Sequence, residues 1–501
     1  MKTINLAALQ QPQRQSPVAI LVILQRLFRT LIRSAWPLLV VYFINPEKTF
    51  ESYLALIAIG VVLISSISSL ITYFNFYFYL NDEELMIQKG WFNKTNRNIP
   101  FDRIQTVNFT QSIIHQFFNV VSLEIDTAGS KGNEFSIKAL RREKAEAIRS
   151  FILSRKEIVA SEQADEQSDE MATTSPVVAD TVEEELLQLS VLDLLKIGFS
   201  QNHLRTIGII IAFLFGLSDY IEELLGKDIY KEVTAFLNSN VQTIFILLFV
   251  FLIISLLLTL VRTVLQYFNF ILLKTEQGFK IKSGLLTRNE QSAQIQKIQL
   301  IQWSTNPIKR LFGLFSLYLR QAASTAVVRK QLIYIPGCYQ EQVQTVRQTY
   351  FPEEADLHFT SHQISPYIIG RRVLYYGLLP SLGLMLLSLD SGWLSLGWLP
   401  LIPVVYVYNW YYHRKWFYEL SDQGLRTQKG LIGQDAVLLQ WYKVQSVSIQ
   451  QSIYQRRKSL ADIHFYTAGG SVVIPFVELS KAQALMNFVL YRIEIDQRKW
   501  M

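Results

Sequence analysis

The chain of 501 residues has one cysteine, Cys338, so neither an intrachain disulfide nor a cysteine-only metal site is open to it. Charge is also scarce. Asp, Glu, Lys and Arg make up 18% of the chain, where an ordinary soluble domain carries about 25%. No Gly-Lys-Ser/Thr phosphate loop occurs. Histidines number six, and only His358 and His362 have a spacing that suits a metal. The segment between them, Phe359-Thr360-Ser361, lacks the glutamate of a zinc-protease helix, so a solvated loop before Pro366 is the better reading. No cofactor and no metal is expected. The first twenty residues hold no short apolar core ending in small residues, so no cleavable signal peptide is expected either. The net charge of +7, from 48 basic and 41 acidic residues, is scattered beside apolar runs. That pattern fits flanks facing anionic headgroups and argues against nucleic acid as a partner.

What the chain has instead is apolar length. A bilayer core about 30 Å thick needs roughly 20 apolar residues in a helix. Residues 53–74 and 241–260 meet this without a single charge. Residues 373–389 and 393–410 are shorter, and 35–44 and 207–217 are weaker still. The six runs fall into three pairs, which predicts six α-helical transmembrane segments in three hairpins. Uncharged spans argue against a coupled transporter acting alone. Pro380 and Pro400 read as simple kinks. Bases such as Arg26, Arg33, Arg205, Arg262, Arg371, Arg372 and Arg414 lie outside the pairs, and the loops inside them are acidic or neutral. Both termini and all large segments are therefore expected on the cytoplasmic side of a multi-pass plasma-membrane protein. Residues 157–185 hold ten acids and no Lys or Arg, and read as a flexible acidic linker.

A repeated segment follows each hairpin. Gly90, Gly284 and Gly430 precede Gln105, Gln299 and Gln445 by the same fifteen residues. Ala128, Ala322 and Ala468 lie twenty-three residues beyond those glutamines. Two matched intervals in three copies mark a true repeat. Alternation in Leu85-Met86-Ile87-Gln88 and in Val121-Ser122-Leu123-Glu124-Ile125-Asp126 predicts half-buried strands, and the glycine marks a tight turn. Helical patterns at 141–153 and 480–491 close the first and third copies. The resulting partition is 1–75 (N-terminal segment and first hairpin), 76–156 (first module), 157–185 (linker) and 186–265 (juxtamembrane segment and second hairpin). It continues with 266–352 (second module), 353–415 (connector and third hairpin) and 416–501 (third module).

Tyr77-Phe78-Tyr79, Gly90-Trp91, the core Ile99-Pro100-Phe101-Asp102-Arg103-Ile104-Gln105 and Thr127-Ala128-Gly129 resemble the YdbT-like family of bacterial pleckstrin-homology (PH) domain membrane proteins. The resemblance covers nearly the whole chain. Copy two departs from it, with no proline over 289–293 and with Ala322-Ala323 in place of Ala-Gly. Copy three has Arg456-Arg457-Lys458 where copy one has Gln116-Phe117-Phe118 and copy two has Arg310-Leu311-Phe312. The resemblance implies a seven-stranded barrel-like sandwich with a C-terminal helix for each copy. It also implies a smaller PH-domain membrane partner, or self-association, and a contribution to resistance against membrane-active peptides.

Arg103, Lys297 and Lys443 each stand two residues before the repeat glutamine. They invite comparison with basic loops that hold inositol phosphates, though nonspecific headgroup contact is the preferred reading. Arg456, Arg457 and Lys458 form the best single candidate for contact with anionic lipid or an acidic partner. No catalytic residue is expected. The function expected is that of a non-enzymatic membrane assembly protein, with a subunit of a peptide or lipid transporter as the alternative.

Overall fold

The computed structural model describes residues 9–30, 70–127, 135–165, 183–201, 241–322 and 332–498, less Leu27, Asp82, Phe92 and Asn93, with scattered positions at 60–68, 203–208 and 232–235. Contacts divide the chain into two compact units. One comprises Met1–Thr181, Gln188–Ile271 and Ile281–Ser292; the other comprises Val182–Leu187, Leu272–Lys280 and Ala293–Met501.

One order of elements occurs three times. In the first repeat it runs β1 (Tyr77–Leu80), β2 (Glu84–Lys89) and β3 (Thr95–Pro100), then a 3-10 turn at Phe101–Arg103. It continues with β4 (Ile104–Ser112), a short helix at Ile113–Phe117, β5 (Val120–Thr127), β6 (Phe135–Arg141) and a closing helix at Arg142–Asp165. That helix runs past 153 into the acid-rich segment. β7 (Glu184–Gln188) precedes the second copy: β8 (Ile271–Thr275), β9 (Gly278–Ser283), β10 (Thr287–Gln294), a turn at Ile295–Lys297, β11 (Ile298–Thr305), a short helix at Pro307–Leu311, β12 (Phe315–Gln321), β13 (Leu332–Cys338) and a helix at Gln340–Tyr350. β14 (Thr360–Gln363) precedes the third: β15 (Phe417–Leu420), β16 (Gly424–Lys429), β17 (Gln434–Gln440), a turn at Trp441–Lys443, β18 (Val444–Gln450), a short helix at Ile453–Arg456, β19 (Leu460–Thr467), β20 (Gly470–Glu478) and a helix at Leu479–Ile495.

Sequence periodicity explains the strands and what they bury. Along β2, Leu85 and Ile87 are buried while Glu84, Met86 and Gln88 are half-buried, the period of two that a pleated strand imposes. The closing helix adds Ala145, Ile148 and Ile152 to the same core, at the three-to-four spacing of one helix face. In the third repeat Trp441 fills the equivalent core beside Phe465, and its indole N–H donates to the Ser421 carbonyl at 3.0 Å. Each 3-10 turn begins eleven residues past the repeat glycine, so the copies keep register from turn to turn. The glycines are needed where they stand. Gly90, Gly284 and Gly430 have φ of 101°, 106° and 124°, and a Cβ on Gly430 would lie 2.3 Å from the Gly433 carbonyl oxygen.

The structure corrects the expectation of six transmembrane helices. Among the described residues one helix, Phe245–Tyr267, is long and apolar enough to cross a bilayer. Residues 35–44, and most of 53–74 and 207–217, lie outside the described residues. The third pair is described, and its apolar runs are divided among short elements. These are a helix at Tyr367–Val373, a π-helical turn at Leu374–Leu378, a helix at Leu379–Leu387, a 3-10 stretch at Leu389–Trp398 and a helix at Leu401–Arg414. Pro380 has no amide hydrogen for the helical ladder, and Gly392 turns the chain at φ 58°. Hydropathy counted the apolar residues and took no account of these breaks.

Replacing Gly430 by alanine is expected to cost about 1–3 kcal/mol through the strained φ alone, with the clash adding to it. A thermal unfolding scan of the purified full chain should show a clearly lower midpoint; an unchanged midpoint would contradict this account of the turn.

Candidate functional site at the junctions between repeats

The repeats are joined by backbone. β4 of the first copy pairs antiparallel with β10 of the second, and β11 of the second pairs antiparallel with β17 of the third. The register is the same in both. Ser112 opposes Thr287, and these lie twenty-two and three residues past their own glycines. Leu300 opposes Leu439, sixteen and nine past theirs. The two offsets total twenty-five at each junction. A slip of one residue would turn every side chain to the wrong face, so this constancy reflects packing. At the second junction Ile301, Leu438, Trp303 and Ala436 are buried together.

Side chains repeat the pattern. Gln116 donates through Nε2 to the Leu285 and Leu286 carbonyls at 3.0 and 3.3 Å. Arg310 donates through Nη1 to the Ile432 carbonyl at 3.1 Å. Gln116 and Arg310 both lie twenty-six residues past their glycines; Leu286 and Ile432 both lie two past theirs. A second recurring contact sits behind the ladder. The Arg149 guanidinium lies over the Phe109 ring, 5.4 Å from its centroid, and pairs with Glu290 of the next repeat at 3.1 Å. Arg347 lies 4.7 Å from the Trp303 ring and pairs with Glu354, which also meets Arg426 at 3.7 Å. Phe109 and Trp303 are both nineteen residues past their glycines.

The residues singled out from the sequence fall in different environments. Lys443 is wholly buried, and its ammonium donates to the Gln296 carbonyl, so it crosses the junction between repeats two and three. Burial pulls its pKa down to about 8. Lys297 is also buried, whereas Arg103 is exposed. Gln299 is buried and Gln445 exposed; Ala322 is buried and Ala468 half-buried. Ala128 lies outside the described residues, as does the Gln105 side chain. Arg456, Arg457 and Lys458 are exposed together at the end of a short helix, and Lys458 reaches the Tyr367 ring at 5.0 Å. His362 sits on strand β14, so the i, i+4 helical spacing does not apply to it. Among the described residues no group of three His, Cys, Asp or Glu side chains is placed to hold a metal.

Burial also pushes the Cys338 thiol up to about 12, and its S–H faces the Phe315 carbonyl. Lys309 is buried beside it, donating to the Ser316 hydroxyl and to the Pro336 carbonyl at 2.9 Å, with its pKa pulled down to about 8. Buried His115 accepts or shares a proton with Ser112 Oγ at 2.6 Å and meets the Lys138 carbonyl at 2.7 Å, which ties the short helix to β6.

The loops flanking the ladders are apolar and uncovered. Phe117 and Leu311, on the short helices, are each 83% exposed, and Trp91, Leu286 and Ile432 stand out from the turns after the repeat glycines. In the first unit the turn after Gly284 is fixed to the end of the long apolar helix, through Gly284 N–H to Phe268 O at 2.8 Å and Leu285 N–H to Leu265 O at 3.0 Å. An open groove of about 360 Å³ lies there, lined by Leu258, Val261, Leu265, Leu286 and Asn289 among others.

Sequence reasoning missed the junction donors as a set. Gln116 and Arg310 were visible only as a departure between copies, and their constant distance from the glycine was the available signal. Arg149 and Arg347 lie at different distances from theirs and gave no such signal.

Comparison with known proteins matches the family of the bacterial PH domain at residues 21–156, 214–353 and 371–493. The chain is also similar to the UPF0699 transmembrane protein YdbT of Bacillus subtilis (strain 168), with 25% identity over 467 residues, covering 91% of this chain and 92% of that protein. No solved structure matches.

The junction lysine carries a pH signature. Lys443 titrates near 8 when folded and near 10.5 when unfolded. Between those values the unfolded chain binds more protons, so this residue makes stability rise with pH across that window; below about 8 its burial cost is fully present. Lys443→Met is expected to flatten the rise in unfolding midpoint between about pH 8 and 10, measured against the parent chain. An identical slope in the two proteins would contradict the burial of this amine.

Proposed function

This chain belongs to the bacterial PH-domain family, and from that premise we propose that it is a membrane-anchored, non-enzymatic scaffold whose three PH repeats lie on the cytoplasmic side of the membrane. The helix Phe245–Tyr267 carries this reading. Its 23 residues reach about 35 Å at 1.5 Å each, enough for the hydrocarbon core. Phe245, Ile246, Phe249 and Leu258 on it are each more than 60% or close to 60% exposed, a surface that water does not favour and lipid does. The relative in Bacillus subtilis is a transmembrane protein by name, which supports the same assignment.

The loops at the foot of this helix extend the argument. Gly284 and Leu285 are bonded to its end, so the exposed apolar turn that follows Gly284 belongs at headgroup depth. In the second unit, Arg371 lies 4.3 Å from the Phe476 ring, Arg372 4.5 Å from the Tyr412 ring and Arg414 3.9 Å from the Trp410 ring. Cations beside aromatic rings suit the interface on the positive side of a membrane.

Sheet pairing constrains the topology. β4 and β10 are hydrogen-bonded, so both must lie on one side of the bilayer. The long apolar helix falls between them in the chain. A chain that leaves and returns to the same side crosses an even number of times, so the proposal requires an even number of crossings between β4 and β10.

Glu143 and Glu276 are exposed positions in the first and second repeats. With Glu143→Cys or Glu276→Cys, a membrane-impermeant maleimide should fail to label intact cells and should label both after permeabilisation. The buried, protonated Cys338 gives little background. Labelling of one site and not the other in intact cells would refute a common side.

Protection against membrane-active peptides is the physiological role that the family resemblance attaches to such a scaffold. Cells lacking the protein should then lyse more readily when challenged with pore-forming peptides, and equal survival of the two strains would remove this role.

A further inference from the structure

Each internal junction joins the free side of β4 or β11 to the free side of β10 or β17 of the next repeat. Three repeats in a row therefore leave one strand of each kind over. Among the described residues, β3 of the first repeat pairs with β2 alone, and β18 of the third pairs with β19 alone.

These two edges differ from their paired equivalents as strands lacking a neighbour should. Gln299 on β11 is wholly buried, and Gln445 at the same repeat position on β18 is exposed. On the paired strands these positions are covered, half-buried at Glu290 and Ser292 of β10 and buried at Ala436 and Leu438 of β17; Asn96 and Asn98 hold them on β3 and are exposed. The donor twenty-six residues past the glycine is present in all three copies. Gln116 and Arg310 reach carbonyls of the next repeat, and Arg456 reaches none among the described residues. The basic tract that stood out in the sequence thus occupies the junction position of a repeat that has no successor in its own chain.

We propose that β18 of one copy pairs with β3 of a second copy, so that the ladder continues from chain to chain, head to tail. The common offset total of twenty-five sets the register: Ser448 opposite Arg97, Ile449 opposite Asn96 and Val447 opposite Asn98. Arg456 then lies beside the turn after Gly90 of the neighbouring copy. The occupant is a second copy because this chain carries both halves of the junction and its own two junctions obey one rule. The edges are rich in Asn, Ser, Gln and Thr, so backbone hydrogen bonds supply the attraction and the polar side chains discourage indiscriminate pairing. A heterologous contact leaves a free edge at each end, so it ends only in a ring or runs on as a filament.

This inference rests on the scaffold reading and deepens it by naming the partner. Arg97→Cys and Ser448→Cys are placed on one full-length chain, which is oxidised in its own membranes. Directly opposed residues of an antiparallel pair lie close enough for a disulfide. The expected product is a reducible ladder of dimers and larger species. A mixture of the two single variants should stop at the dimer, and each single variant alone should stay monomeric. Arg97→Cys with Ile449→Cys, shifted by one residue, puts the thiols on opposite faces and should lose the ladder. Adding Arg456→Glu to the productive pair should weaken it. A product that stays at monomer mass overturns the inference. So does equal linking by the shifted pair, or linking of Ser448→Cys only to a different protein that carries a PH repeat. The maleimide experiment reads sidedness whatever the oligomeric state, so failure of the scaffold reading and failure of this one are told apart.

Discussion

The backbone ladder between successive repeats is the constraint on which the other features hang. An antiparallel pair demands that opposed residues share a face, and the two junctions satisfy this with one register. Once Leu300 faces Leu439, the apolar side chains of both strands bury together. Gln116 and Arg310 then fall within reach of the next repeat's carbonyls, and Arg149 and Arg347 meet their acids. Lys443 is buried for the same reason: its ammonium is trapped where the second repeat's turn closes over it.

This arrangement changes what a repeat means here. Each copy packs its own core, with a closing helix over two three-stranded meanders, as the cores of the first and third repeats show. The hydrogen-bonding edges are nevertheless shared with the neighbour. An unpaired strand edge invites association. The internal edges are answered by the next repeat, through mostly polar residues at β4–β10 and through buried apolar ones at β11–β17. The same ladder also bears on the membrane, because strands bonded to one another cannot lie on opposite sides of it.

Much of the local structure was legible from residues. The fifteen-residue interval from Gly284 to Gln299 reflects one turn, one strand and one 3-10 corner, all short-range objects with little freedom in length. The apolar alternation in Leu85 and Ile87 gave the buried face of β2. The helices were less legible. The run over 373–410 is as apolar as a spanning pair requires, yet it is divided near Pro380 and Gly392, because helix continuity depends on backbone groups that hydropathy does not weigh. The candidate site was legible only in part. Equivalence of position was read as equivalence of role, and Gln299 and Gln445 show why that fails: one lies in a junction and the other at an open edge.

The amino-acid sequence alone determined the threefold period, the turns at positive φ, the strand faces and the lipid-compatible helix, since each follows from the side chains of a few neighbouring residues. Tertiary structure alone decided which strand meets which. Main-chain donors and acceptors are the same at every residue, so β11 bears no local mark that selects β17, more than a hundred residues away. The choice is made by burial of side chains brought together only when the whole chain has folded.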